Sequence, residues 1–480
     1  MKTLELPVGE LKSALAGLGK VIAARPSVPI LGHVRIEPDG ADAVCLHGTD
    51  LDAFATCRIQ ARNLEKFPAC TVAFDALNKL VKTSKSDLAL VREEDGKISV
   101  RYTIGGSVAK TSIDSLPLAE WPPLPPMKSP ATVLDDGFKT ALKQALECSS
   151  TDGSRYVLNG ACLDVSRKEC HTVVGTDARH LFAANTFTFP LTKSVIIPDR
   201  RFLNWAGFAE DGPWHLAVEM DKQSNPYWVK LQSNRWTFIT KAVDGVYPNW
   251  RHIVADSDGQ TKVAFSPAAV SAILDALPCL PTTSSDKLPV RLETRDQQFF
   301  LKGRANDQEE WTSVPVPDVR VQGPEFGVTV NRTLLTKALR FGFTEFDFYS
   351  ESEPIRFTAP GRKFVIAPLG HVDPATVTAN PPDNSTPPSE ASAASEPSAA
   401  QPEPRTERKT MSTKSEKTPA SPLQEAVEHI EKIKETLKSV IADFATVLAV
   451  IKTAEKEKKA TEKEIETIRT TLRSLQRVQI

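Results

Sequence analysis

The sequence has no excess of charge of either sign. Its 59 lysines and arginines stand against 60 aspartates and glutamates, for a formal net charge of −1 over 480 residues. A basic surplus that by itself announces nucleic acid is excluded, so any DNA-facing charge must be local. Cysteine is sparse: the seven residues at 45, 57, 70, 148, 162, 170 and 279 are odd in number and include no Cys-x-x-Cys pair. That argues against a disulfide framework or a zinc site and for a reducing compartment. Cys45, Cys57, Cys148 and Cys162 sit in apolar periodic segments and read as core thiols. There is no long hydrophobic run. The opening MKTLELPVGELK has no apolar signal core, and the most apolar run, Val440–Ile451, is too short for a membrane span and carries Asp443. A cytoplasmic protein without a membrane partner is expected. No Walker phosphate loop, His-Glu-x-x-His, metal-ligand cluster or nucleophile elbow is present. The expectation is therefore no catalytic residue, no metal and no cofactor, with His171 and His180 making structural hydrogen bonds at strand ends.

What the chain does have is internal repetition. Its length implies several domains. RYVLNGACLDV from Arg155 and HTVVGTDARHLF from His171 alternate apolar and polar residues on either side of a charged turn, and read as paired strands. Gly48-Thr49-Asp50 and Gly175-Thr176-Asp177 end strands 127 residues apart, and LKSAL at Leu11 and FKTAL at Phe138 share that offset. LGHVRIE at Leu31 matches LNGACLD at Leu158. Strand-into-helix segments recur as TVAFDALNKLVKT, SVIIPDRRFLNWAGF and GVTVNRTLLTKALRFG, and Trp121-Pro122 and Tyr247-Pro248 close the first two units. The third unit is weaker, with LKGRANDQEEWTSVPV where the others carry their turn strands. Asp50 and Asp177 occupy turns that an Asx-type side-chain bond explains. Each unit reads helix, strands, helix, strands, giving an α+β chain with domains at 1–126, 127–254 and 255–372.

With these motifs, the order of Arg25-Pro-Ser-Val-Pro-Ile-Leu-Gly32, Ser115-Leu-Pro-Leu-Ala-Glu-Trp-Pro122, Val243-Asp-Gly-Val-Tyr-Pro248 and Val365-Ile-Ala-Pro-Leu369 resembles the bacterial sliding clamp, the beta subunit of DNA polymerase III. The resemblance covers nearly all of residues 1–372. It implies three clamp domains forming half of a ring, closed as a head-to-tail homodimer around duplex DNA without regard to sequence. It also implies a replicative DNA polymerase and an ATP-driven clamp loader as partners, and the role of a non-catalytic processivity factor. In that family an Arg-Tyr-x-Leu-Asn-Gly strand and a Thr-Asp-Gly-His-Arg-Leu turn border a pocket for partner peptides that present Leu and Phe. Here the turn reads Thr176-Asp177-Ala178-Arg179-His180-Leu181, with Gly replaced and His-Arg inverted. By the resemblance, Leu158, Thr176, Leu181, Pro248, Ile253, Val365 and Leu369 form the apolar wall, Arg155 and Arg179 the rim, and Ala367 stands where a larger Met is usual. By the same resemblance the DNA-facing candidates are Arg25, just before Pro26, and, on one-sided helix faces that would meet phosphates loosely, Lys12, Lys20, Lys79, Lys82, Lys139, Lys143, Arg200, Arg201, Lys337 and Arg340. Arg332 shares the last of these helices, whereas SPAAVSAILDAL carries no basic residue and one Asp275. Thr111 and Ile113 fall on one closing edge, Leu277 and Leu280 near the other. The alternative is a clamp-fold assembly scaffold that organises partners without loading on DNA.

Beyond residue 372 the resemblance stops. Residues 373–420 are rich in Pro, Ser, Ala, Thr and Glu with almost no large apolar residue, and read as a disordered linker. From Leu423, apolar residues recur at gaps of three and four through Ile430, Ile433, Leu437, Val440, Phe444 and Val447 to Leu475. That heptad pattern reads as a coiled coil over 421–480, self-associating or paired with a partner helix. Thr461-x-x-Glu464 permits a break into a hairpin, and the segment could instead lie back on the pocket.

Overall fold

Three successive units share one order of elements: strand, helix, four strands, helix, three strands. The first consists of β1 (Lys2–Leu6), α1 (Val8–Leu18), β2 (His33–Asp39), β3 (Ala43–Thr49), β4 (Ala53–Gln60), β5 (Cys70–Ala73), α2 (Phe74–Thr83), β6 (Leu88–Arg92), β7 (Ile98–Ile104) and β8 (Ser107–Ile113). The second consists of β9 (Thr132–Leu134), α3 (Asp136–Glu147), β10 (Gly160–Asp164), β11 (His171–Thr176), β12 (His180–Phe187), β13 (Val195–Pro198), α4 (Ala206–Ala209), β14 (Trp214–Met220), β15 (Pro226–Gln232) and β16 (Trp236–Lys241). The third begins with β17 (Thr261–Phe265), α5 (Pro267–Ala276), β18 (Pro289–Arg295), β19 (Gln298–Gly303) and β20 (Thr312–Val316). It adds one strand, β21 (Val319–Gln322), before β22 (Gly327–Asn331), α6 (Arg332–Arg340), β23 (Glu345–Phe348), β24 (Ile355–Ala359) and β25 (Arg362–Ile366). These elements come from a computed structural model that describes residues 2–370 apart from 65–66, 94–96, 105, 255–258 and 307–308. The expected linker at 373–420 and coiled coil at 421–480 lie outside the described residues.

Local chemistry explains where the helices start. Asp135 caps α3 by accepting from Phe138 N, Ser266 caps α5 with Pro267 at its first turn, and Asn331 caps α6 through Thr333 N and Leu334 N. In α1, Leu11, Ala14, Leu15 and Leu18 are buried at three- and four-residue spacing, one stripe against the sheets.

The sheets run across the unit boundaries. One eight-stranded sheet has the order β5-β2-β3-β4-β16-β15-β14-β9, so β4 of the first unit pairs antiparallel with β16 of the second, Phe54 opposite Ile239. A nine-stranded sheet, β13-β10-β11-β12-β25-β24-β23-β17-β21, joins the second unit to the third through β12 and β25. Two four-stranded sheets, β1-β6-β7-β8 and β20-β19-β18-β22, complete the fold. Alternation divides each shared sheet: Ala53, Ala55, Cys57 and Ile59 of β4 join the main core with the helices, and Phe54 faces the other way. Gly175 sits where a Cβ would lie 1.9 Å from Ala145 O, so β11 and α3 touch backbone to backbone.

Two expectations are corrected. The stretch at Arg155 is no strand: Gly153–Leu158 is a 3-10 turn whose start is capped by Asp152 accepting from Ser154 N, and pairing begins only at Gly160. Cys45 is half-buried on the outer sheet face rather than in the core, whereas Cys57, Cys70, Cys148 and Cys162 are buried.

Candidate functional site

The two Gly-Thr-Asp turns are built alike. Asp50 Oδ1 accepts from the backbone N–H of Asp52 and Ala53, and Asp177 Oδ1 from those of Arg179 and His180. Thr49 and Thr176 donate their hydroxyls to Ala53 O and His180 O. Each turn places a non-glycine residue in the left-handed region, Leu51 at φ 79° and Ala178 at φ 71°. Ala178 thus takes the backbone shape that a glycine would adopt more readily.

Around the second turn lies the seam of β12 and β25, with Leu181 opposite Val365. On its outer face a small apolar cluster joins these two to Cys162, Val174, Ala183, Ile196, Trp250 and Val254, with Tyr247 and Ile253 packed alongside. The connector after β16 supplies Tyr247 to Val254 and is fixed at both ends. Val243 N donates to Ile196 O, and the Asp164 carboxylate accepts from Trp250 Nε1 at 2.9 Å and pairs with Arg251. Burial works to raise the Asp164 pKa, but the bonds from Arg251, Ser166 and Trp250 outweigh it and the net direction is down. Connector and sheet enclose a cavity of about 600 Å³ lined by Asp164, Ile196, Tyr247 and Pro248 among others.

Of the expected pocket residues, Leu181 and Val365 belong to this cluster, Ile253 packs alongside it and Pro248 lines the cavity, whereas Arg155, Leu158, Thr176, Arg179, Ala367 and Leu369 are in neither. Leu158, Thr176, Leu181 and Val365 are buried, Ile253, Ala367 and Leu369 half-buried, and Arg155, Arg179 and Pro248 exposed. Backbone bonds tie the strand ends: Ala367 N donates to Arg179 O, and Leu369 N to Thr329 O of β22. Sequence reasoning missed Tyr156, Val246 and Asp164. Tyr156 and Val246 are 57% and 89% exposed apolar groups beside the rim. The only signal for them was proximity to the Arg155 and Tyr247-Pro248 motifs, and none pointed to Asp164.

The basic residues divide. Arg25, Lys12, Lys20, Lys79, Lys82, Arg201 and Arg340 are exposed and Lys143 half-buried, with no ion pair among the described residues. Three others are already held by acceptors of this chain. Lys139 donates to Gly212 O at 2.6 Å and pairs with Asp136; Arg200 pairs with Asp50 at 3.1 Å across the first seam; Lys337 donates to Glu147 O at 2.6 Å. Arg332 is buried, its guanidinium donating to the carbonyls of Leu277, Leu280, Pro281 and Pro289. Leu277 and Leu280 are both buried in the third unit's own core and on none of its edge strands, which among the described residues are β20 and β22 of one sheet and β21 of the other. Thr111 and Ile113 do lie on a free edge, β8, although the Ile113 side chain points into the core. His171 accepts from Phe189 N, a structural bond as expected. Among the described residues no cluster of three or more His, Cys, Asp or Glu could hold a metal ion.

No protein-family model matches the chain. It is similar to the beta sliding clamp of Proteus mirabilis, 23% identical over 334 residues, covering 69% of this chain and 88% of that one. It is also similar to the beta sliding clamp homolog GriR of Streptomyces muensis, 22% identical over 369 residues, 76% and 93%. Among solved structures, the DNA polymerase sliding clamp from Caulobacter crescentus superposes with a TM-score of 0.66 at 20% identity, covering 77% of this chain and all of that one. The DNA polymerase III beta subunit from Pseudomonas aeruginosa gives 0.65 at 19%, covering 76% of this chain and 99% of the other. The described residues have the mixed helix-and-strand fold of sliding clamps.

Proposed function

We propose that this chain is a DNA sliding clamp, a processivity factor that encircles duplex and tethers a polymerase through the seam pocket. The observation that carries the ring is the pairing rule of the sheets. The fourth strand-pairing partner in each unit, β4 or β12, takes the last strand of the next unit, β16 or β25. In the third unit the equivalent strand is β20, and in the first unit the equivalent last strand is β8; both edges are free among the described residues. A second copy placed head to tail satisfies both, and closure removes the open edges. Its three domains are 1–126, 127–254 and 255–372.

The mechanism needs no bond making. Arg25, Lys12, Lys20, Lys79, Lys82, Arg201 and Arg340 meet backbone phosphates without reading bases, so the ring holds duplex and still slides. Leu181, Val365, Ile253 and Leu369 take the Leu and Phe side chains of a partner peptide, raising the polymerase's effective concentration at the primer end. A separate loader opens the ring. The coiled coil at 421–480 acts outside this cycle, through self-association or a partner helix. The scaffold alternative is not favoured by the relatives.

Retention on nicked circular plasmid in the presence of a loader, with release after linearisation, tests the proposal. Equal retention on both forms, or none on either, overturns it. For the pocket, Leu369→Ala should weaken binding of a Leu/Phe peptide about tenfold, the transfer loss for a half-buried leucine, with the dimer unchanged; unaltered affinity in a fluorescence titration rejects the assignment.

A further inference from the structure

The inverted Arg179-His180 order has a structural outcome. Being the first residue of β12 on its helix-facing side, His180 is buried, its side chain 3% exposed, and its ring lies 5.6 Å from that of Phe364. Nδ1 stands 2.7 Å from Asp177 Oδ1 in its own turn, and Nε2 stands 3.1 Å from Lys337 Nζ on α6 of the third unit. The same ammonium donates to Glu147 O at the end of α3, where a helix leaves carbonyls unsatisfied. An ammonium only donates, so Nε2 must accept; Nδ1 therefore carries the proton and donates to the carboxylate. The imidazole is neutral and its tautomer is set from both sides.

We propose that His180 and Lys337 are positioning residues for the partner-peptide pocket, a lock between the second and third units that holds the Thr176–Leu181 turn in its binding shape. This rests on the pocket reading above. The lock acts on the site through short links: Thr176 Oγ1 bonds His180 O, Ala367 N bonds Arg179 O, and Leu181 follows directly as the pocket floor. In the first unit the residue equivalent to His180 is Ala53, and the turn's Asp50 reaches Arg200 of the next unit instead. Each seam is thus tied through the aspartate of its Gly-Thr-Asp turn, and the seam bearing the pocket adds a histidine to the link.

A proton on Nε2 would set donor against donor and bring two positive charges together. The charged groups that act on the ring are Asp177 from the turn and Lys337 from α6, the latter also bonded to Glu147 O at the end of α3; β25 offers the ring of Phe364. Burial and Lys337 lower the imidazole's pKa from 6.5, against the opposing pull of Asp177. The neutral lock therefore persists at neutral pH and fails as the pH drops well below 6.5.

The test uses the full chain and a fluorescein-labelled peptide ending in Leu and Phe, titrated from pH 5 to 8. Lys337→Met should weaken binding about tenfold at pH 7.5, the loss of one charge-assisted hydrogen bond, and alter the acid limb of the profile. His180→Gln, which keeps an acceptor for the ammonium but cannot take up a proton, should retain affinity and flatten that limb. Wild-type and Lys337→Met profiles that coincide overturn the lock, as does an Nε2-protonated His180 in the ¹⁵N spectrum of histidine-labelled protein. If wild type takes up no peptide at any pH, the pocket reading fails. The lock is then decided by hydrogen exchange at the Ala367 amide, which Lys337→Met must accelerate; unchanged exchange overturns it too.

Discussion

Arg332 shows how much one side chain holds. Its guanidinium satisfies carbonyls of Leu277, Leu280, Pro281 and Pro289, bringing the end of α5 and the segment before β18 together. Arg332→Met keeps the stem and strands those acceptors, so it should cost about 3 kcal/mol by the scale for breaking buried charged networks, read as a lower denaturant midpoint. Ala178 gives the opposite sign. At φ 71° its Cβ is crowded by the left-handed backbone, a strain of about 1 kcal/mol, so Ala178→Gly should raise the midpoint slightly or leave it level. His47 sets an acid limit. Burial first, then Arg35, pushes its pKa down from 6.5 to about 4, while Nδ1 lies 2.9 Å from Thr56 Oγ1. The unfolded chain binds that proton more readily, so stability is whole above 6.5 and declines as the pH falls from 6.5 towards 4. His47→Gln should flatten that part of a melting-temperature profile.

At the scale of elements, legibility followed locality. The Gly-Thr-Asp turns, the helix at Leu11 and its echo at Phe138, and the strand-to-helix passages were readable because capping and periodicity act within a few residues. The 3-10 turn at Arg155 was missed because Tyr156 and Leu158 alternate as a strand would; the Asp152 cap that decides it has no apolar signature. The burial of Leu277 and Leu280 had no local signature: they pack in the core, and their carbonyls accept from Arg332, over fifty residues away in sequence. Three of the basic candidates have a long-range acceptor that no local pattern shows: Gly212 O for Lys139, Asp50 for Arg200, Glu147 O for Lys337. The exposed lysines of α2 have none among the described residues. Lys79→Glu with Lys82→Glu should therefore lower plasmid retention and reduce the log–log salt slope by about 0.9 for each phosphate no longer neutralised, measured by retention across a salt series.

For the whole molecule, the proposed closure predicts a dimer that survives salt, since strand pairing rather than surface charge joins it. Sedimentation of residues 1–372 in high salt should show one dimeric species; a folded monomer would count against the ring. The 421–480 peptide should be helical and oligomeric by circular dichroism and light scattering, both lost in Ile433→Asp with Phe444→Asp, because the charges would be buried unpaired. Mechanically, the ring then has two kinds of joint. Those within the chain, β4 with β16 and β12 with β25, each have five residue pairs inside a continuous sheet, and ion pairs and hydrogen bonds reinforce them. In the proposed dimer the joint between chains would rest on β20, a five-residue strand whose Pro315 has no N–H to give. Under an outward load the proposed β20 joint would be the one to yield, so opening of such a ring would be a latch released at a fixed place and not a flexing of the whole arc.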